Sequence, residues 1–595
     1  MTETQAEPAA PPTDEQRVPP GLRQLEDDLS AVAFVAGAEG AVEHDALLDR
    51  VRRLVRIKLL LEATRPEDAA PLIVIAGGTN VGKSTTFNWV VGEAVASSSP
   101  LARHTKAPTV YVHREALDAL PAAALLPGYR CLQLDDPLGP TREQRDADGR
   151  AYFLHEHGDA AARDVVLIDS PDIDSTHDRN RAVAEDLLFL ADSVVFVSTP
   201  EKYNDQLCVG YLEQAAALGK ALTCVLNKGA DEEVAADFRE MVVGGLTGEA
   251  TVLTLPYIPQ PAPGDAGAFV GALREAVLRD PDRWAELRGQ ALAGARERVA
   301  ADLTQVVSRL REELSELDRI RSEVDLALDR QRDAYERFLG ELEFYELDRV
   351  FERVLEHFRI PVLDHVYDGV KSAMGFLSKN VSRLLTGGPG ETSRQAKLRA
   401  RAEADRQKVK ELFESTRAEV LELPRRHAVV LHEAAAGWVR ELEGASVEQL
   451  NGQVDAFLEE ARAQADRWVE AEAQRHVELL EQHPYARAAL RTVKGVFQVG
   501  FGLLSAKLTA GLGPWDLLIA PATERATKTI LEAVGGYVHY QTIKSEFCRA
   551  RAASFREAID AAAAAPLAAG LPAGADPDVI DRLTGTGDLL RRGDV

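Results

Sequence analysis

Only four cysteines occur in 595 residues, Cys131, Cys208, Cys224 and Cys548, and no two lie close together. That spacing argues against a disulfide framework and against a paired-cysteine zinc site, and it points to a reducing compartment, the cytoplasm. Basic charge is also short. Lys and Arg number 69 against 95 Asp and Glu, leaving a net charge of −26, so the overall field does not attract nucleic acid, which is not expected as a partner. Long apolar runs are missing as well: the uncharged stretch Gly495–Ala506 spans twelve residues, where a membrane-spanning helix needs about 20. No basic-then-apolar leader opens the chain; residues 1–20, rich in Pro, Ala and acid, read as a disordered tail.

What is present begins with size. At 595 residues and 45% hydrophobic content, the chain exceeds what one core supports, so two or three domains are expected. The most informative stretch is Gly77-Gly78-Thr79-Asn80-Val81-Gly82-Lys83-Ser84-Thr85, directly after the apolar run 71–76. A glycine-rich loop between a strand and a helix turns successive backbone N–H groups around a polyphosphate, and the helix N-terminus adds partial positive charge. Lys83 would reach the outer phosphates, and Ser84 would place its hydroxyl on Mg²⁺.

Short β-branched runs at 109–112, 165–168, 194–197, 222–226 and 251–253 alternate with helical stretches up to about residue 280. This alternation predicts a mostly parallel sheet with helices on both faces, an α/β architecture whose ligand sits at the carboxyl ends of the strands. A helix over 47–61 leads into it. From Trp284 to about Ala564 the signal is helical. Val299, Leu303, Val306, Leu310, Leu314, Leu317, Val324 and Leu328 recur at steps of three and four or their sums, the pattern of a long helix packed along one seam. Further helices are expected over 396–420 and 446–481, with breaks at Gly387–Gly390, Pro424 and Pro484, giving an extended all-α stalk or bundle.

Two strand ends complete the nucleotide site. Asp169, after Val165–Ile168, stands where a Mg²⁺-linked aspartate belongs. Asn227-Lys228-Gly229-Ala230-Asp231 follows another apolar strand and resembles the Asn-Lys-x-Asp base-recognition motif of translation-factor-class GTPases. Here Asp231 lies four residues after Asn227 rather than three. Either a bulge returns it to the base or guanine selectivity is weakened.

With these motifs, residues 71–260 resemble the G domain of Era-like and dynamin-like GTPases. Arg103-His104-Thr105-Lys106-Ala107-Pro108-Thr109 looks like the first switch of the dynamin type. The resemblance makes Thr105 a second hydroxyl ligand of Mg²⁺ beside Ser84 and Asp169, with Thr109 as the alternative. It also gives Lys83, Thr105 and Asp169 the catalytic roles. Asp169-Ser170-Pro171-Asp172 departs from Asp-x-Pro-Gly: Asp172 replaces the glycine whose amide senses the γ-phosphate, although its own N–H could serve. Ile173 stands where many GTPases carry a water-orienting glutamine. Without help, turnover would be on the order of 10⁻⁴ to 10⁻² per second. The resemblance implies two aids, a K⁺ ion held near Asn80 or pairing of two G domains in a homodimer; Arg103 could also supply charge.

The implied organisation is a tail over 1–20, leading helices over 21–70, a GTPase domain over 71–282, a helical stalk over 283–565 and a loose tail over 566–595. Two segments could touch an anionic membrane, near 370–390 and 493–520. The second, Gly495–Ala506 flanked by Lys494 and Lys507, either enters one leaflet or packs as a glycine-rich helix pair in the bundle. The first opens a basic stretch running from Lys371, Lys379 and Arg383 to Lys410, which either meets anionic lipid or pairs with acidic helix neighbours. The expected activity is GTP hydrolysis with Mg²⁺ by a dynamin-like protein, cytoplasmic or peripheral to a membrane. The contrasting expectation is a soluble switch or scaffold that holds a protein partner. Ribosome association by an Era-like GTPase is a third.

Overall fold

Alternation with a period of two decides the sheet. In Leu72–Gly77 (β1), Leu72, Val74 and Ala76 face one core while Ile73 and Ile75 face another, and every residue is buried. A strand apolar on both faces must be covered on both, the condition of a central strand in a parallel α/β sheet. The computed structural model describes residues 18–34, 38–93, 95–96, 107–117, 125–133, 151–174, 178–229, 232–240, 244, 246, 250–255, 267–278, 281–357, 389–427, 444, 447–482, 540–565, 571 and 574–595.

The other strands are Thr109–His113 (β2), Arg130–Gln133 (β3), Ala151–His157 (β4), Val166–Asp169 (β5), Ser193–Ser198 (β6), Ala221–Leu226 (β7) and Ala250–Thr254 (β8). Their spatial order is β3-β4-β2-β5-β1-β6-β7-β8. All neighbours are parallel except β2 and β5, where Thr109 lies opposite Asp169. The expected mostly parallel sheet is therefore present, with β3 and β4 added to the runs read from the sequence.

Helices Pro20–Ala31 (α1), Ala38–Leu54 (α2), Lys83–Val91 (α3), Asp178–Leu190 (α4), Gln206–Ala217 (α5), Glu232–Phe238 (α6) and Gly267–Val277 (α7) surround this sheet in chain order. A π-helical segment, Val55–Leu60, continues α2. The larger core joins one sheet face to α1, α2, α4 and α5; the smaller joins the other face to α3 and α7, with Trp284 and Leu287.

The chain divides into two compact units, residues 1–34, 38–314 and 573–595 in one and 35–37 and 315–572 in the other. The division falls inside helix Pro281–Glu341 (α8), not at residue 282. Its apolar stripe is accordingly shared: Val299, Leu303, Val306 and Leu310 belong to the sheet unit's core, and Val324 and Leu328 to that of the helical unit.

The helical unit adds Tyr345–His357 (α9), Pro389–Arg426 (α10), Val447–Gln482 (α11) and Tyr540–Ile559 (α12). Phe555 lies 4.7 Å from Tyr335, 5.4 Å from Phe457 and 5.6 Å from Phe413. One aromatic hub thus joins α8, α10, α11 and α12. The Tyr335 hydroxyl donates to Asp405 at 2.8 Å and accepts from Arg551 at 3.0 Å, so the buried polar end is satisfied.

Two sequence expectations are corrected. Pro424 does not break α10, which runs on to Arg426; the proline removes one bond of the last turn, and the helix ends two residues later. Part of the segment read as a loose tail forms helix Pro577–Arg592 (α13), capped by the Asp576 side chain and buried through Val579, Ile580, Leu583 and Leu590 in the sheet unit's core. The tail expected over 1–20 lies almost wholly outside the described residues. So do Gly387, Gly388 and Pro484, and the segments 370–388 and 493–520.

On β4, His157 is 5% exposed and stacks on Tyr111, with ring centroids 3.7 Å apart and planes 4° from parallel. Burial, with His113 beside it, lowers its pKa to about 4, against opposition from Asp159. A histidine held neutral in the fold contributes stability that is whole above its unfolded value near 6.5 and is lost as pH falls toward 4. Unfolding free energies from urea titration at pH 7.5 and pH 5 should therefore separate more for the parent than for His157→Phe, by on the order of 1 to 2 kcal/mol. Equal separations would mean that the ring does not titrate with unfolding.

Candidate functional site: the loop after β1

The loop from β1 to α3 is shaped by contacts that exclude side chains at two places. Gly77 has φ +155°, and a Cβ there would lie 2.2 Å from the carbonyl oxygen of Val197. At Gly82, φ is +100° and a Cβ would lie 2.2 Å from Nδ2 of Asn227. Both positions need glycine for their positive φ, and at Gly77 the Val197 carbonyl also leaves no room for a Cβ. Asn80 takes φ +60° without being glycine, a conformation that costs energy and persists where its surroundings enforce it.

Lys83, at the first turn of α3, is buried; its Nζ donates to the Gly78 carbonyl at 2.9 Å and to the Asp172 carboxylate. One turn position on, the Ser84 hydroxyl donates to Oδ2 of Asp169 at 3.1 Å. Asp169 closes β5 beside β1 and is 1% exposed. Its Oδ1 is buried and has no hydrogen-bond partner among the described residues. Burial, reinforced by the Asp172 charge, pushes its carboxyl up to about 6 in spite of Lys83 and Ser84.

An orphaned carboxylate oxygen beside a serine hydroxyl is a hard-oxygen donor pair that fits Mg²⁺. Among the described residues no group of three His, Cys, Asp or Glu converges on a metal position. Ser84 and Asp169 would then be two of the ligands. Thr109 lies opposite Asp169 in the β2–β5 ladder. Thr105 and Arg103 lie outside the described residues.

At the end of β7, Asn227 donates from Nδ2 to the Val81 carbonyl at 2.8 Å and accepts the Lys228 N–H on Oδ1 at 2.8 Å. Lys228, with φ +65°, reaches back to the Asn80 carbonyl at 2.5 Å. The Asn-Lys pair is thereby braced against the phosphate loop itself. Asp231 lies outside the described residues. Val81 is fully buried in the core that holds α3 to the sheet, and Thr85 is half-buried.

Sequence reasoning missed Asp174 and Lys202. Asp174 Oδ1 accepts from the Thr79 N–H at 2.7 Å and the Thr79 hydroxyl at 2.6 Å. Lys202, after β6, donates to Asp174 Oδ2 at 2.7 Å and to the Thr79 carbonyl at 3.0 Å. Burial would raise the Asp174 pKa, but the hydrogen bonds from Lys202 and Thr79 outweigh it and hold the carboxyl below its ordinary value. Neither residue belongs to a spaced motif, so only the folded chain brings them to the loop.

The chain is similar to known proteins in two ways. Residues 72–228 match the family model described as 50S ribosome-binding GTPase. That span runs from β1 through Lys228 and takes in the phosphate loop, Asp169 and Asn227. The matched span covers the α/β sheet from β1 to β7, and long helices follow it, the order of architecture expected from the sequence. Two solved structures of an oligomerised bacterial dynamin pair, described as providing a mechanism for the long-range sensing and tethering of membranes, are similar over 96% of this chain. They are covered over 94% and 95% of their own chains, each at 12% identity and a TM-score of 0.46. No curated protein matches. Among the described residues no helix is long and apolar enough to cross a membrane.

Proposed function

We propose that the chain binds GTP with Mg²⁺ and hydrolyses it as a dynamin-like GTPase, with nucleotide-dependent pairing of two copies moving the helical region. The observation that carries this reading is convergence: Lys83, Ser84, Asp169 and the Asn227–Lys228 pair, from separate segments, meet on one loop with a buried, unpartnered carboxylate oxygen. Lys83 would bind the outer phosphates. Ser84 and Asp169 would hold Mg²⁺, which neutralises phosphate charge when bound. Asn227, Lys228 and Asp231 would frame the guanine, and Gly77 to Thr85 would cradle the phosphates. Thr105, or Thr109, would close over the metal. Because Ile173 offers no polar group to orient water, activation falls to a second G domain or to K⁺ near Asn80.

Phosphate release from GTP, measured against protein concentration in K⁺ and then in Na⁺, tests this. A specific rate rising with concentration supports pairing, and dependence on K⁺ supports the ion. No GTP hydrolysis above background in either salt would overturn the enzymatic part.

The site of action is proposed as an anionic membrane surface. A specific observation favours the contrasting reading of a soluble switch or scaffold. In the described part of the basic stretch, Arg401 pairs with Glu346 at 2.9 Å, Arg406 with Asp455 at 2.9 Å and Lys408 with Glu411 at 2.9 Å. Those three charges serve the bundle; of the remainder of the stretch, Lys371, Lys379 and Arg383 are the ones proposed to meet lipid. Cosedimentation with anionic vesicles, lost on charge reversal at these three, supports the membrane. Its absence in both nucleotide states favours a protein partner.

A further inference from the structure

We propose that Asp172 sets the preference of this site between nucleoside diphosphate and triphosphate, its carboxylate standing in for a terminal phosphate on Lys83. The inference rests on the nucleotide-binding reading above and adds the regulation of that site.

Three contacts carry it. Lys83, the cation that a polyphosphate needs for its outer groups, is already engaged by Asp172 and by the Gly78 carbonyl. The Thr79 N–H, one of the loop amides that would cradle a phosphate oxygen, is engaged by Asp174. Between the two carboxylates, the Ile173 N–H donates to the Gly77 carbonyl at 3.2 Å, so the segment 172–174 is fastened to the loop by its backbone as well. Lys202 locks the far side by bonding both Asp174 and Thr79.

Among the described residues, Asp172 pairs with Lys83 and Asp174 with Lys202, while Asp169 shares the Lys83 charge. A diphosphate leaves the outermost place to Asp172, and Lys83 can bridge the two anions. A triphosphate brings another anion to the same ammonium, and like charges at contact distance are strongly disfavoured unless one withdraws. Asp172 must then leave Lys83. The sign of the response follows: where a glycine N–H at this position would be drawn toward the third phosphate, this segment is pushed away from it.

The test uses the full chain with Mg²⁺, titrated with GDP and with a non-hydrolysable GTP analogue, in the parent, Asp172→Asn and Asp172→Gly. The parent is expected to bind GDP at least about tenfold tighter than the analogue. Asp172→Asn keeps the shape and removes the charge, so analogue affinity should rise about tenfold while GDP affinity moves by less than about threefold. Asp172→Gly should shift the ratio in the same direction. An unchanged ratio in both variants, or an equal gain for GDP, would overturn the inference and leave nucleotide binding intact. A parent that binds neither nucleotide would overturn the nucleotide-binding reading, and this inference with it.

Discussion

Lys83→Ala is expected to weaken binding of both GDP and GTP by on the order of 100-fold or more, about 3 kcal/mol. The substitution deletes the charge-assisted hydrogen bonds that a buried ammonium makes to phosphate oxygens, in surroundings where water cannot replace them. Its effect on the neighbouring carboxylates has a definite direction too. Lys83 lowers the pKa of Asp169 and pairs with Asp172. Without it the two carboxylates confront each other across a buried space, and the Asp169 carboxyl should move further up. Mg²⁺ alone should then compensate part of the loss, so the variant is expected to need more Mg²⁺ for any residual binding. Titration with a fluorescent guanine nucleotide at two Mg²⁺ concentrations checks both points. Parent-like affinity in the variant would remove the loop after β1 from the account of function.

The parts of the site that could be read before folding are those contiguous in the chain. Gly77 to Thr85 follows its strand directly, Asp169 and Asn227 each end an apolar run, and the strand–loop–helix order is visible in one window. The seam along α8 was equally plain, but periodicity says only that a stripe is buried, not by what. Hence one stripe was read as one stalk, while two cores share it. β3 escaped notice because Arg130, Cys131 and Gln133 are exposed at the sheet edge and show no alternation. The signals for α13 were present: Asp576 as cap, Pro577 in the first turn and Gly593 at the end. Gly585 and Gly587 diluted the helical pattern, and position near the end of the sequence suggested a tail. Asp174 and Lys202 carry no motif at all. Their role exists only because the segments after β5 and β6 come to the same end of the sheet.

A cluster at the opposite end of the sheet was beyond any sequence argument and carries the largest expected stability effect. Asp192, fully buried ahead of β6, accepts from Lys58 on Oδ1, and on Oδ2 from Arg65 at 3.2 Å and the Leu72 N–H at 2.8 Å. Lys58 comes from the π-helical segment and is itself fully buried. Glu62 pairs with Arg65 at 2.9 Å and receives Arg288 from α8. Burial alone would raise the Asp192 pKa, but Lys58 and Arg65 hold the carboxyl well below the usual range. Asp192→Ala leaves Lys58, Arg65 and Arg288 with Glu62 as their one remaining carboxylate in the cluster, and breaking a buried pair in this way costs about 3 to 5 kcal/mol. The thermal midpoint should fall accordingly, with a smaller fall for Asp192→Asn, which keeps an acceptor for the Leu72 N–H. Because a lowered folded pKa stabilises above the unfolded value near 4 and loses that effect as pH falls further, the parent's advantage over Asp192→Asn should be constant at neutral pH and shrink below about pH 4. Leu72 starts β1 and Gly77 ends it, so the cluster and the phosphate loop sit at opposite ends of one strand. The folded fraction of either variant should therefore bind guanine nucleotide with parental affinity. A loss of affinity at unchanged stability would instead make Asp192 part of the coupling between the nucleotide and Arg288 on α8.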